Sequence, residues 1–109
     1  MKAVDTFRHP EYKHNCAQAV ANKWKELYAD KDIVSSYAPY IGGNAPGGLC
    51  GALYAAKEAS KANAEEIERL FVERCGAATC REIKMGTRTP CTVCVQTADD
   101  LVEQFEGKI

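Results

Sequence analysis

No stretch of this chain approaches the roughly 20 apolar residues of a membrane-spanning helix, and the opening MKAVDTFRHPEY lacks the apolar run of a secretory signal. The expected setting is therefore a reducing cytoplasm. Sustained alternation of apolar and polar residues, the mark of half-buried strands, is also missing. Charge of one sign is not in excess: 14 basic residues stand against 15 acidic ones, a formal −1, which gives a nucleic acid no electrostatic footprint to meet. Small molecules or proteins are the expected partners. The G-x-x-x-x-G-K-[ST] pattern of a phosphate loop is absent, and no strand leads into the one glycine-rich segment, so a nucleotide site is not expected. Neither an internal repeat nor a domain boundary divides the 109 residues, which read as one domain spanning 1–109.

What the chain has is helical periodicity and cysteine. The spacing predicts a helix from about Asn15 to Ala29 with Cys16, Val20, Trp24, Leu27 and Tyr28 on its core face, and a short one over Asp32 to Tyr37. A flexible loop, Tyr40 to Gly48, leads to an alanine-rich helix, Leu49 to Lys61. Asn63 with Glu66 opens a further helix that stops at Gly76, a short helical turn follows Thr79, and the last helix runs from about Pro90 to Phe105. The expectation is an all-α fold: a single compact bundle of four main helices with one or two short ones. Glu65, Glu66, Glu68, Asp99, Asp100, Glu103 and Glu106 lie mostly opposite the apolar stripes and read as solvated faces.

Six cysteines remain to be placed. A chain of this length buries enough surface to fold without crosslinks, so in a reducing compartment they point to metal, cluster or thiol redox chemistry. They divide by local signal. Cys16 follows Asn15, Cys50 follows Gly47 and Gly48, Cys80 follows Thr79, and Cys91 follows Thr89 and Pro90, all residues that open helices. Asn15 with Gln18 and Thr79 with Glu82 have the spacing of a capping box. A helix start offers free amides and partial positive charge, which favour thiolate, so these four sulfurs are expected to converge on one electropositive site. Gly47 and Gly48 are expected to let backbone approach whatever Cys50 binds. Cys75 continues the buried stripe of its helix from Phe71, and Cys94 sits on the apolar face of the last helix; both read as core. Cys91-Thr92-Val93-Cys94 is also a C-x-x-C at a helix start, which keeps Cys94 as a possible resolving thiol. His9 and His14 read as surface residues, although His14 is near enough to Cys16 to reach a metal.

Asn15-Cys16-Ala17-Gln18-Ala19-Val20, Gly47-Gly48-Leu49-Cys50-Gly51-Ala52, Cys80-Arg81-Glu82-Ile83, and Cys91 with Val95 and Ala98 together closely resemble the C_GCAxxG_C_C family of redox-active proteins over nearly the whole chain. Its four cysteines match Cys16, Cys50, Cys80 and Cys91, and Gly51 matches the glycine of its C-G-A motif. The motif's final glycine is Ala55 here, whose methyl takes room from a close helix contact. A related domain of split-Soret cytochromes is associated with an iron–sulfur cluster, so the resemblance implies a cluster, of the two-iron two-sulfide type, on these four cysteines, with Gly47, Gly48 and Gly51 beside it. The alternatives are a metal-free dithiol oxidoreductase or redox switch and a structural four-cysteine zinc site. A redox partner protein is implied, while the oligomeric state, monomer or homodimer, and whether the chain is an enzyme stay open.

Overall fold

The computed structural model describes residues 2–29, 31–40 and 44–106. Six α-helices follow in order: α1 (Cys16–Lys23), α2 (Ile33–Ser36), α3 (Gly51–Ala59), α4 (Ala64–Cys75), α5 (Cys80–Glu82) and α6 (Cys91–Glu106). Four of them carry 8, 9, 12 and 16 residues and the other two are single turns. Among the described residues there is no strand, only isolated bridges between Phe7 and His14 and between Leu49 and Thr79. The all-α bundle of four main helices is what the periodicity predicts.

Helix α3 is the hub, packed on α1, α4 and α6. Its alanines make this possible: Ala52, Ala55 and Ala56 are fully buried, as are Ala17, Ala19 and Ala21 on α1, so the helix axes approach closely without large side chains between them. Ala55, which replaces the motif's glycine, fits there, and its carbonyl accepts the Tyr28 hydroxyl at 2.6 Å. Leu53, Ile67, Phe71, Val95, Leu101 and Val102 fill the rest of one contiguous core.

Local signals set several boundaries. Asn15 caps α1 through a reciprocal box: its Oδ1 accepts from the Gln18 amide at 2.8 Å and its own amide donates to Gln18 Oε1 at 3.0 Å. Gly76 ends α4 in the left-handed region, φ 92°. The Pro90 carbonyl accepts from the Val93 and Cys94 amides, which makes Pro90 the N-cap of α6. Elsewhere tertiary contacts override the pattern. Helix α1 stops at Lys23, not Ala29, because Trp24 and Tyr28 are anchored sideways: the Trp24 indole donates to Asp99 Oδ1 at 2.9 Å and Tyr28 reaches α3. Leu27, expected in the core stripe, is 39% exposed on the 3-10 turn Lys25–Leu27 that results. Asn63 does not cap α4; a 3-10 turn, Lys61–Asn63, runs straight into the helix and the Asn63 amide group donates to Ser60 Oγ. Beyond α5 the chain continues as a π-turn, Ile83–Thr87, closed by the Arg88 amide on the Ile83 carbonyl. Ile41, Gly42 and Gly43 of the glycine-rich loop lie outside the described residues.

Asp99 overturns the reading of a solvated face. It is 4% exposed, and its carboxylate accepts from the Ala3 amide and the Trp24 indole, both at 2.9 Å. Glu106 also turns inward, accepting from the Ser60 hydroxyl at 2.5 Å. Asp99→Ala strands two donors and is expected to cost about 2 kcal/mol, measured as a drop in urea midpoint with unchanged slope. An Asp99→Ala protein as stable as the wild type would mean that water replaces the carboxylate.

Candidate functional site

Four separate segments deliver the predicted cysteines to one place. Cys16 and Cys91 are the first residues of α1 and α6, Cys80 is the first residue of α5, and Cys50 is the N-cap of α3. Three local devices fix their positions. The Cys50 amide donates to the Ala78 carbonyl at 2.9 Å, beside the Leu49–Thr79 bridge, which ties the start of α3 to the start of α5. Thr79 caps α5, its hydroxyl oxygen accepting from the Glu82 amide at 3.2 Å. Thr89, expected as part of the α6 cap, instead donates with Thr87 to the Cys75 carbonyl, at 2.9 and 3.0 Å, which holds the start of α6 against the end of α4.

The result is a small cavity lined by Cys16, Cys50, Cys80, Cys91 and Cys94, with Ile83 and Lys84. The four sulfurs selected by the helix-start signals share it, and Cys94 joins them. Cys94 is 2% exposed, as a core residue should be, yet it also faces the site. The signal that marks it is the C-x-x-C spacing: one helical turn beyond Cys91 returns to the same side of α6. The acidities of four thiols are coupled in series, Cys16 with Cys50, Cys50 with Cys94 and Cys94 with Cys75, which is also influenced by Thr97. The division of six cysteines into four site residues and two core residues is thus crossed by a thiol chain that contains both kinds.

This chain changes the acidities. The neighbouring Cys50 thiol, then burial, raises the Cys16 thiol far above the usual thiol range, although the backbone of Ala52 and Ala17 pulls the other way. Contact with Cys16 lowers Cys50, but Cys94 and burial outweigh it and push the thiol up to about 12. Cys94 likewise gains from Cys50 and loses more to Cys75 and burial, also reaching about 12. Cys75, at the accepting end, is drawn down to about 7 by Cys94 against the effect of burial. The expectation that helix starts make thiolates is corrected for Cys16 and Cys50: the amides are there, from Ala52 and from Leu53, but burial and neighbouring S–H groups win.

A pH profile follows for the reduced, metal-free protein. Between about 9 and about 12 the unfolded chain has lost protons that folded Cys50 and Cys94 still hold, so stability falls with rising pH, by at most about 1.4 kcal/mol per unit for each thiol. Cys75 acts in the opposite sense between about 7 and 9, where the folded state has lost the proton that the unfolded state keeps. Anaerobic melts should therefore show Tm passing through a maximum near pH 9. A Tm still rising at pH 11 would overturn the assigned burial of these thiols.

Glycine serves the site at one position above all. A Cβ on Gly51 would stand 2.9 Å from Cys16 Sγ, 2.9 Å from the Tyr40 carbonyl oxygen and 3.1 Å from Ala17 Cβ, so only glycine lets α3 start against α1 at Cys16. At Gly47 and Gly48 no protein atom lies within 4 Å of an added Cβ, and what glycine supplies there is φ of 72° and 73°.

Outside the sulfur cavity lies a cleft of about 330 Å³ lined by Phe7, Arg8, Lys13, His14 and Asn15 together with Cys16, Cys80, Cys91 and Lys84. His14, read from sequence as a surface residue, lines it, and its buried Nδ1 has no hydrogen-bond partner. The turn that carries these groups is held by the Arg8 amide on the His14 carbonyl and the Lys13 amide on the His9 carbonyl, at 2.9 and 2.7 Å. Arg8 and Lys13 adopt φ of 54° and 55°, a left-handed backbone that non-glycine residues hold only when their surroundings demand it.

The donor set suits a soft metal centre: the side chains lining the cavity supply five thiols, one ammonium from Lys84 and neither carboxylate nor imidazole. The space between them is tight, about 20 Å³, roughly one water, and among the described residues no group of three or more His, Cys, Asp or Glu is drawn around a single point that could hold an ion. A metal or cluster held by these sulfurs would displace their thiol protons. No family model matches the chain, and comparisons with curated proteins and with solved structures find no match either. Among the described residues no helix is long and apolar enough to cross a membrane.

Proposed function

We propose that this is a redox protein for electron transfer or redox sensing whose Cys16, Cys50, Cys80 and Cys91 ligate an iron–sulfur cluster. The observation that carries this reading is the convergence of these four thiols, from four separate helix starts, on one cavity. The resemblance to the C_GCAxxG_C_C family supports the same four positions. Four cysteine thiolates are the usual complement of a two-iron, two-sulfide cluster, which when bound supplies a one-electron couple. The protein's own part is to hold the sulfurs on rigid helix starts, to aim backbone groups of Ala52 and Leu53 at Cys16 and Cys50, and to keep water out with Ile83. Such hydrogen bonds to sulfur favour the more reduced, more negative centre. A redox partner protein would exchange the electron. A structural zinc site draws less support, since such ligands usually come as closely spaced pairs whereas these four are scattered along the chain.

A second reading rests on the contact between Cys50 and Cys94. Without a metal, these two thiols can close a disulfide, releasing two protons and passing two electrons to a partner's disulfide, which is reduced to two thiols. Cys94 is then the resolving thiol.

Anaerobic purification followed by visible absorption spectroscopy and assays for iron, sulfide and zinc separates these readings. The cluster reading requires iron and sulfide in stoichiometric amounts with charge-transfer bands in the visible. Their absence, even after reconstitution, would sink it, and a loss of two titratable thiols on mild oxidation would then favour the dithiol.

A further inference from the structure

The cleft beside the sulfur cavity has a composition that the redox reading does not use. Arg8, Lys13 and Lys84 are exposed on it, and none of the three forms an ion pair among the described residues. Arg8 only lies over the Phe7 ring, 4.8 Å from its centroid. No carboxylate lines the cleft. Among the described residues only Lys57, Lys61 and Arg69 form ion pairs, so what distinguishes Arg8, Lys13 and Lys84 is their gathering on one concave surface. Three unneutralised cations around a concave surface set up a positive potential that draws an anion. The volume, about 330 Å³, lies in the range of small-molecule sites. The unpartnered Nδ1 of His14 adds a buried polar atom on the same wall that still lacks a hydrogen bond.

The floor of the cleft is sulfur. Cys80 and Cys91 line both the cleft and the inner cavity and are half-buried, whereas Cys50 and Cys94 are buried and do not line the cleft. Cys16 also reaches the cleft, but its thiol is engaged with Cys50. A ligand seated on the cations therefore meets Cys80 and Cys91 first.

We propose that this cleft binds a low-molecular-weight disulfide that carries carboxylates, and that it presents the ligand's sulfur–sulfur bond to Cys80 and Cys91. The carboxylates sit among Arg8, Lys13 and Lys84. Exchange then proceeds on the cluster-free form: the thiolate of Cys80 or Cys91 attacks one ligand sulfur, a Cys–S–S–R bond forms, the ligand S–S bond breaks, and RS⁻ leaves with the electron pair and takes up the proton that the cysteine gave up. The exchange step rests on the metal-free form of the site proposed above. Recognition of the anion rests on the cleft alone and holds whether or not the sulfurs carry a cluster.

Oxidised glutathione and cystamine make the probe pair, since both are small disulfides but only the first bears carboxylates. Reduced, chelator-treated full-length protein is exposed to each, and mixed-disulfide formation is followed by intact mass and mapped by peptide mass, with rates normalised to those of each reagent on free cysteine. The expected result is a preference of about tenfold or more for oxidised glutathione, with first modification at Cys80 or Cys91. The preference should vanish in about 1 M salt, where the Debye length is about 3 Å, and in an Arg8→Glu/Lys84→Glu protein. S-methylglutathione, which has the carboxylates but no disulfide, should compete. Equal normalised rates, first modification at Cys75 or Cys94, or a preference indifferent to both salt and charge reversal would overturn the proposal. Should the double variant misfold, the salt series and the competitor in wild-type protein decide the matter. The cluster reading fails separately, on iron and sulfide content, and leaves these rates untouched.

Discussion

Cys50→Ser is expected to leave anaerobically reconstituted protein with no iron or sulfide above background, and Cys16→Ser, Cys80→Ser and Cys91→Ser are expected to do the same, while Cys75→Ser loads normally. Cys50 is the sharpest of the four. Its backbone is pinned to Ala78, and its sulfur lies between those of Cys16 and Cys94, so its loss removes a ligand and cuts the thiol chain at its middle. A serine hydroxyl is a hard donor and a poor substitute for thiolate toward iron in a sulfur-rich centre. Cys94→Ser is the informative companion. Under the cluster reading it keeps iron and sulfide and loses some stability, because a polar hydroxyl enters a position that is 2% exposed. Under the dithiol reading it behaves as Cys50→Ser does and abolishes the disulfide seen on mild oxidation. Iron content and thiol titration on the same two variants therefore choose between the mechanisms. Normal iron loading by Cys50→Ser would remove the four-cysteine centre altogether.

Much of this fold can be read from local chemistry. The box of Asn15 and Gln18, the left-handed stop at Gly76 and the proline at the head of α6 each act within a few residues, and each stands where the sequence indicates. The parts that escape are those decided by distant partners. Nothing near Asp99 announces that its carboxylate will meet Ala3 and Trp24, 96 and 75 residues away. Trp24 and Tyr28 fit a helical stripe, and only their anchorage to Asp99 and Ala55 explains why α1 ends before them. The site divides in the same way. Helix-start signals find Cys16, Cys50, Cys80 and Cys91 because each signal is local, and these four do share one cavity. Their protonation is not local: helix-start amides argue for thiolate, and the stacking of buried thiols that reverses this at Cys16 and Cys50 depends on Cys94 and Cys75 arriving from other helices. Arg8, Lys13 and Lys84 carry no motif at all and come together only through the turn before α1 and the π-turn after α5.

Gly51→Ala is expected to cost about 3 kcal/mol in urea denaturation and most of the cofactor or thiol chemistry with it. An alanine at a helix start normally gains a few tenths to about 1 kcal/mol over glycine, so the sign here is set by space. The new Cβ meets two atoms at 2.9 Å, and they yield differently. Cys16 Sγ is on a short side chain with one χ angle, and turning it away breaks the contact with Cys50. The Tyr40 carbonyl is backbone, in a segment joined to α1 by the Asn15 side-chain amide, which donates to the Tyr37 and Ala38 carbonyls at 3.2 and 3.0 Å. Moving it disturbs the cap of α1 on which Cys16 sits. Both routes of relief therefore displace the Cys16 sulfur, and fully buried Ala17, 3.1 Å away, blocks a third. The measurement pairs the urea midpoint with iron and sulfide content, or with thiol titration in the metal-free protein, and the two should fall together. A Gly51→Ala protein that kept its stability and its site would show that α1 and α3 are not in the contact described, and the convergence of the four cysteines would lose its physical basis.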